Sequence, residues 1–440
     1  MEQNRSTRLL VVAINFAPEL TGIGKYVGEM TDWLAGQQVS IRVVTAPPYY
    51  PAWSVDPNYR GSRYMREQLN GVRVYRCPLW VPRVPRGLTR LLHLLSFGLS
   101  SLPVTLWQAL FWRPDLVFVV EPALCAAPGA WLAARLGGAK AWLHIQDFEV
   151  DAAFELGLLG NSRVRRVVLA IERWLLRRFD HVSTISDGMI AKGLNKGVQK
   201  DRLLQFPNWV DVELIRPLHG TNQLRTELGI ADGQRVLLYS GNMGEKQGLE
   251  VLVDVARRFS EDRDILFLLC GDGAVRPRLS RATARMSNVR MIPLQPLERL
   301  NELLNLADVH LLPQRAAAED LVLPSKLGAI LASGRPVVAT ARRGSDVARY
   351  ADCGGLVVPP GDTVAFEEAI RRLLDDPALS RQFGAAGRAL AVATWEREAV
   401  MRRTFSQFSV FREFVRAPAS PDAAFPRTAT MDAEEQLVEL

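Results

Sequence analysis

Short apolar runs alternate with stretches whose apolar positions recur every three or four residues, and the alternation continues along most of the chain. In the first half RLLVVAIN, VSIRVVTA, VRVYRCPL, LVFVVEP, AKAWLHIQ and HVSTIS read as strands, with helical patterns between most of them. In the second half RVLLYSG, ILFLLCGDG, VRMIPL, DVHLLPQ, RPVVAT and GGLVVPP do the same. Strand and helix in alternation over both halves predict two doubly wound, parallel α/β domains. The rhythm breaks at QFPNWVDVELIRPLHG, where prolines and a loop-like composition intervene, which places a first domain over 1–207 and a second over 208–393. The 440 residues are more than one ordinary core organises, so two domains fit the length as well. From Ala417 onward, APASPDAAFPRTATMDAEEQ has the composition of a disordered tail, over 417–440.

One segment departs from this pattern. Between Gln68 and Pro114 there is no acidic residue, but there are Arg73, Arg76, Arg83, Arg86, Arg90 and Arg113. Inside it LLHLLSFGLSSLPVTLWQALFW, Leu91 to Trp112, is apolar and uncharged apart from His93, and is long enough to span a bilayer. Pro103, Gly98, the serines and the strand pattern resuming at Leu116 argue against a span. Burial as a crossover helix is one reading; an arginine-flanked helix lying in the membrane interface is the favoured one, over about 80–113. A second basic helix, RVRRVVLAIERWLLRRF, sets Arg163, Arg165, Arg166, Arg173, Arg177 and Arg178 around Trp174 and strengthens the case for a membrane-facing side.

The overall charge agrees. Lys plus Arg number 54 against 47 Asp plus Glu, a net +7 with pI near 9.4, which suits an anionic partner. Nucleic acid is not expected, because no recognition helix, RNA-binding signature or zinc spacing occurs. Cys77, Cys125, Cys270 and Cys353 lie far apart with no CxxC pair, as in a reduced, cytoplasmic protein. The opening MEQNRSTRLLVVAINFAPEL has too short an apolar run for a signal peptide and reads as a first strand.

Candidate chemistry concentrates at strand ends, where open α/β sheets place ligand contacts. Gly22 and Gly24 in PELTGIGKYVGEM allow a ligand close to the backbone at a helix start, although the spacing is not a dinucleotide fingerprint. HIQDFEVDA brings His144, Asp147, Glu149 and Asp151 to one strand end, with a substrate-binding or acid–base role and a structural one about equally weighted. No standard metal set is present there. In the second half Gly241, Gly244 and Gly248 form a glycine-rich turn carrying Lys246, and Gly271 and Gly273 another. QRAAAEDLVLPSKLGAILASGRPVVAT then adds Glu319 and Asp320, an N-cap at Ser325, and Lys326 as the first residue of a helix closed by Gly334. A cation there opposes the helix dipole unless an anion docks beside it. Two lysines and two helix N-termini facing one crevice suit a diphosphate, and the acidic residues suit sugar hydroxyls.

GNMGEKQGLE, CGDG and PSKLGAILASGRPVVAT, following PELTGIGKY and HIQDFEVDA, resemble the retaining glycosyltransferases of family 4 and, within it, the colanic acid biosynthesis fucosyltransferase group. The resemblance runs from about Leu9 to about Trp395. It implies a GT-B fold, two Rossmann-like domains facing across a cleft, with a C-terminal helix over 394–416 crossing back to the first domain. It implies a nucleotide-sugar donor, GDP-fucose by the nearest group, and a lipid-linked oligosaccharide acceptor at the inner leaflet, with neither cofactor nor metal. The donor side would comprise Gly22, Gly24, Gly241, Asn242, Gly271, Gly273, Glu319, Asp320 and Ser325, the catalytic groups His144, Lys246 and Lys326, and the acceptor side Asp147, Glu149 and Asp151. Two departures stand out. Asn242 and Gln247 occupy the positions of the family's Arg–Lys phosphate clamp, and Leu321 and Ala329 those of its paired glutamates. Lys326 and Lys246 are expected to supply the missing positive charge. A nucleotide-sugar epimerase of the same architecture, or an inactive membrane-associated binding module, is the alternative.

Overall fold

Arg8–Ala13 (β1) is a run of β-branched and leucine side chains with almost no exposed surface, the signature of a strand covered on both faces. The computed structural model of the chain describes residues 6–19, 22–61, 63–83, 87–122, 124–148, 150–151, 162–218, 220, 222–315 and 325–411. Around β1 the first sheet gathers Ser40–Thr45 (β2), Met65–Leu69 (β3), Val72–Arg76 (β4), Leu116–Glu121 (β5), Lys140–Ile145 (β6), His181–Thr184 (β7) and Leu203–Gln205 (β8) in the order β3-β4-β2-β1-β5-β6-β7-β8. All its pairings are parallel except the hairpin β3–β4, whose turn is Asn70-Gly71, both at positive φ as such a tight turn requires. The second sheet holds Arg235–Ser240 (β9), Ile265–Cys270 (β10), Val289–Ile292 (β11), Val309–Leu312 (β12), Val337–Thr340 (β13) and Gly355–Val358 (β14), all parallel, in the order β11-β10-β9-β12-β13-β14. These are two Rossmann-like doubly wound domains. The twelve strands expected from sequence are present, and β3 and β8 are additions. β3, MREQL, is an edge strand with no buried position; β8 is three residues long.

Helices cover the first sheet unequally. On one face lie Gly87–Trp107, Ala127–Gly137, Ser162–Leu176 and Asp187–Asn195, closing a core that includes Phe97, Ala130, Leu175 and Met189. On the other lies Gly22–Gly36 together with Arg397–Phe405, which comes from the far end of the chain. Val400, Met401, Phe405, Phe408 and Phe411 complete this second core, Phe408 stacking on Trp142 at 4.3 Å. Thr7 also donates to the carbonyl of Val410 at 2.6 Å. The two passages between the domains run side by side: Val210 pairs with Glu396 in a parallel bridge, and its amide donates to Trp395 O at 2.8 Å.

Full burial of the long apolar helix is not what the structure has. His93, Leu94, Phe97, Ser101 and Thr105 face the sheet at helical spacing, while Leu88, Leu91, Leu92, Leu95 and Leu99 face outward, Leu99 being 71% exposed. Pro103 removes one amide, and the helix continues as a π-helical turn, Gln108–Trp112, whose Phe111 is 68% exposed. Leu132 and Leu136, and Val167, Ile171 and Trp174, are exposed on the neighbouring helices of the same face.

Candidate active site

The carboxyl ends of the two sheets face one another. The helix Asp187–Asn195 follows β7 and the helix Asp346–Cys353 follows β13, and their first turns are joined across the gap. The amide of Gly188 donates to Asp346 Oδ2 at 2.7 Å, and Arg349 bridges Asp187 at 2.5 Å and Asp346 at 2.9 Å. Strand direction therefore brings the ligand-facing ends of both domains to one cleft.

On the first-domain side a cavity of about 290 Å³ opens at these ends. Ile14 and Asn15 reach it from just past β1, Gly22, Ile23 and Tyr26 from the next helix, and Gln146 and Asp147 from just past β6. Tyr49, Tyr50 and Trp53 come from the loop after β2; Arg90, His93 and Leu94 come from the apolar helix, and Asn208 from the passage between domains. Glu19, 6% exposed, fixes the aromatic loop: its carboxylate accepts from the amides of Tyr49 and Tyr50 at 3.0 Å each and from Asn15 at 2.9 Å. Burial raises its pKa against those hydrogen bonds. Gly24 lies directly behind it, where a Cβ would come within 2.8 Å of Glu19.

His144 does not line this cavity. It is 4% exposed and lies behind the strand end, between Phe118 and Phe206. Its Nδ1 donates to Ser183 Oγ at 2.9 Å, and its Nε2 accepts from Gln146 Nε2 at 2.9 Å. Burial pushes its pKa down to about 3, so the ring stays neutral. The expectation that His144 sits against the transferring sugar is corrected by its depth: it lies inside β6 beside Trp142, against Phe206, whereas Gln146 and Asp147, past the strand end, line the cavity. What reaches the cavity is Gln146, locked by His144 and by two hydrogen bonds with Asn208, each 2.9 Å. Asp151 is also away from the cavity. It pairs at 3.0 Å with Lys196, which is itself buried against Glu172. Of the expected acceptor residues Asp147 alone lines the cavity, and Glu149 lies outside the described residues.

On the second-domain side, Gly241 follows β9 and Gly271 follows β10, so closely packed that a Cβ on Gly271 would lie 2.0 Å from Gly241 O. Gly273 stands against Met243 O and Asn242 Oδ1, and Asn242 O accepts from the Tyr239 hydroxyl at 2.5 Å. Ser325 and Lys326 open the helix Ser325–Ala332. The stem of Lys326 is partly exposed, but its Nζ is buried, 4.1 Å from the centre of the Tyr239 ring and 3.8 Å from where a Gly241 Cβ would stand. It has no hydrogen-bond partner among the described residues, and burial holds its pKa down to about 7. Lys246 lies in the short turn Glu245–Gln247 after β9, while Glu319 and Asp320 fall outside the described residues. Among the described residues no three His, Cys, Asp or Glu side chains group as a metal site would require.

Among the cavity residues that sequence reasoning passed over are Tyr49, Tyr50, Trp53, Arg90, His93, Gln146 and Asn208. Gln146 lies within HIQDFEVDA and Asn208 within the seam QFPNWVDVELIRPLHG, but neither carries a charge; their position one step past a strand and at the seam is the signal that could have marked them.

Residues 21–209 match the family described as glycosyl transferase 4-like domain, and residues 234–376 that described as glycosyl transferases group 1. A protein of Escherichia coli (strain K12) named as a colanic acid biosynthesis glycosyl transferase, WcaI, is 41% identical over 406 residues, covering 90% of this chain and 98% of that one. Sucrose-phosphate synthase from Thermosynechococcus elongatus superposes with a TM-score of 0.70 at 19% identity, covering 90% of this chain and 97% of its own. HepE of Anabaena, in complex with UDP and glucose, superposes with a TM-score of 0.64 at 13% identity, covering 91% and 100%. At such identities the two structures speak for the fold.

Proposed function

Since the chain belongs to the glycosyltransferases that join a 4-like domain to a group 1 domain, we propose that it moves a sugar from a nucleotide diphosphate held by the second domain to a lipid-linked oligosaccharide held by the first. Transfer proceeds with retention and without a metal ion or cofactor. The donor is GDP-fucose, a reading supported by the motif resemblance alone, and the product an exopolysaccharide of the colanic acid type, supported by the likeness to WcaI.

The observation that carries the reading is Lys326: a buried amine without a partner among the described residues, at the N-terminal turn of a helix and beside the glycine turn after β9. A diphosphate supplies the charge this nitrogen lacks, and the helix amides add to its hold. As the glycosidic bond breaks, negative charge grows on the leaving phosphate, where a preorganised cation acts most strongly. Lys246 is the second cation, taking the part of the missing Arg–Lys clamp. The acceptor hydroxyl attacks from the leaving-group side, and the departing phosphate oxygen takes its proton. Asp147, Gln146 and Asn208 orient the acceptor, and His144 acts on it only through Gln146. The outward leucines of the apolar helix, with Trp174 and the arginines of Ser162–Leu176 on the same face, suit the anionic inner leaflet where a lipid-linked acceptor resides.

Calorimetry of GDP and UDP against the wild type and Lys326→Ala tests the donor site. GDP binding that weakens about 10- to 100-fold in the variant, a loss of about 1.4–2.8 kcal/mol, is expected. Equal affinity in the two proteins, or no nucleotide binding at all, would sink it.

A further inference from the structure

His93 is the only charged-type residue in the apolar run from Leu91 to Trp112, and it points inward. It is 1% exposed and lines the first-domain cavity. Its Nδ1 lies 2.7 Å from the carbonyl oxygen of Trp80. A carbonyl can only accept, so Nδ1 carries the proton and Nε2 is left as a bare acceptor. Nε2 is buried and has no hydrogen-bond partner among the described residues. The ring cannot easily turn to find one: Tyr49 packs on it edge-on at 4.9 Å and Trp53 at 5.3 Å. Burial also lowers its proton affinity, which keeps the ring neutral and Nε2 free to accept.

The neighbouring polar groups do not answer this acceptor. Asn15 donates to Glu19, and the amides of Gln146 and Asn208 are engaged with each other and with His144. The cavity is thus lined by a residue with an unanswered acceptor nitrogen and, among its other walls, by Tyr50 and Trp53, a combination suited to a pyranose, whose hydroxyls donate and whose ring carbons pack on aromatic faces. Its lining comes from the first domain and the linker at Asn208 and does not include Lys326, so on the proposed division of the cleft it belongs to the acceptor side.

We propose that His93 Nε2 accepts a hydrogen bond from a hydroxyl of the acceptor saccharide and so selects and positions the sugar that receives the transferred residue. This rests on the glycosyltransferase reading of the cleft and adds to it a recognition atom on the helix that also carries the exposed leucines. One helix then meets the lipid with one face and the sugar with the other.

The test uses the full chain labelled with ¹⁵N-histidine, titrated separately with the octyl glycosides of glucose, galactose, mannose and fucose. The Nε2 resonance of His93, assigned by its disappearance in His93→Asn, is expected to lie in the unprotonated region and to move toward smaller shift with at least one glycoside. His93→Asn keeps a donor near Nδ1 for Trp80 O but places nothing at Nε2, so it is expected to bind that glycoside at least tenfold more weakly with unchanged GDP affinity. If no glycoside moves the resonance, or the variant binds as tightly as the wild type, Nε2 is capped by water and the inference falls. Should the variant fold poorly, the wild-type resonance alone decides. Wild-type protein that binds GDP or UDP but shows no response at His93 overturns this inference alone, whereas absence of nucleotide binding overturns the donor reading.

Discussion

At the residue scale, the Lys326 amine and the His144 ring are both buried, yet one meets the cleft through a glycine turn and the other closes an aromatic core. Lys326 was legible because a cation at a helix N-terminus needs an explanation that the sequence itself does not contain, and the structure puts its amine beside the Gly241 turn. His144 is not legible in the same way, because sequence does not show that the cavity begins only past Ile145, leaving His144 with Trp142 in the aromatic core. The buried Lys196–Glu172–Asp151 group was not legible at all, since its members meet only through the packing of separate helices. The environment of Lys326 has a measurable signature. Between pH 7 and the usual lysine range, the unfolded chain holds a proton at this site that the folded chain does not, so the group's contribution to stability improves as pH rises through that window. Below pH 7 a charged amine is buried in the empty protein. Lys326→Met is therefore expected to raise Tm over the wild type at pH 6, by about 1 °C per kcal/mol relieved, with the advantage shrinking toward pH 10. A gain that does not vary with pH would mean the amine is solvated.

At the element scale, the apolar segment could be recognised from sequence but its use could not. Length and hydropathy alone equally fit a span, a buried crossover and a surface helix. What separates them is which positions the sheet claims, and Leu94 and Phe97 are claimed while Leu95 and Leu99 are not. Edge strand β3 escaped notice because an uncovered strand has no apolar run to show. If the outward face docks on anionic lipid, Leu95→Glu combined with Leu99→Glu should cut co-sedimentation with phosphatidylglycerol vesicles several-fold. Because both positions are exposed, stability should shift by no more than about 0.5 kcal/mol per site. Undiminished sedimentation would remove this helix from any membrane contact.

At the scale of the whole molecule, the alternation of strand and helix made both domains legible, whereas the cleft between them depends on contacts that no local pattern encodes, such as Arg349 with Asp187. The first domain is also not a continuous stretch of chain. Phe408, stacked on Trp142 and against His181, belongs to its core, and Phe408→Ala is expected to destabilise the protein by about 3–5 kcal/mol in urea unfolding. A loss under 1 kcal/mol would show that the segment merely rests on the sheet. Synthesis adds a constraint of its own. The ribosome releases the eight strands of the first sheet long before residues 397–411, so the part of one apolar face that Gly22–Gly36 leaves open waits uncovered while the second domain is translated. Every nascent chain passes through a state with that apolar surface exposed, and a chain released early would display it to the cell's proteases.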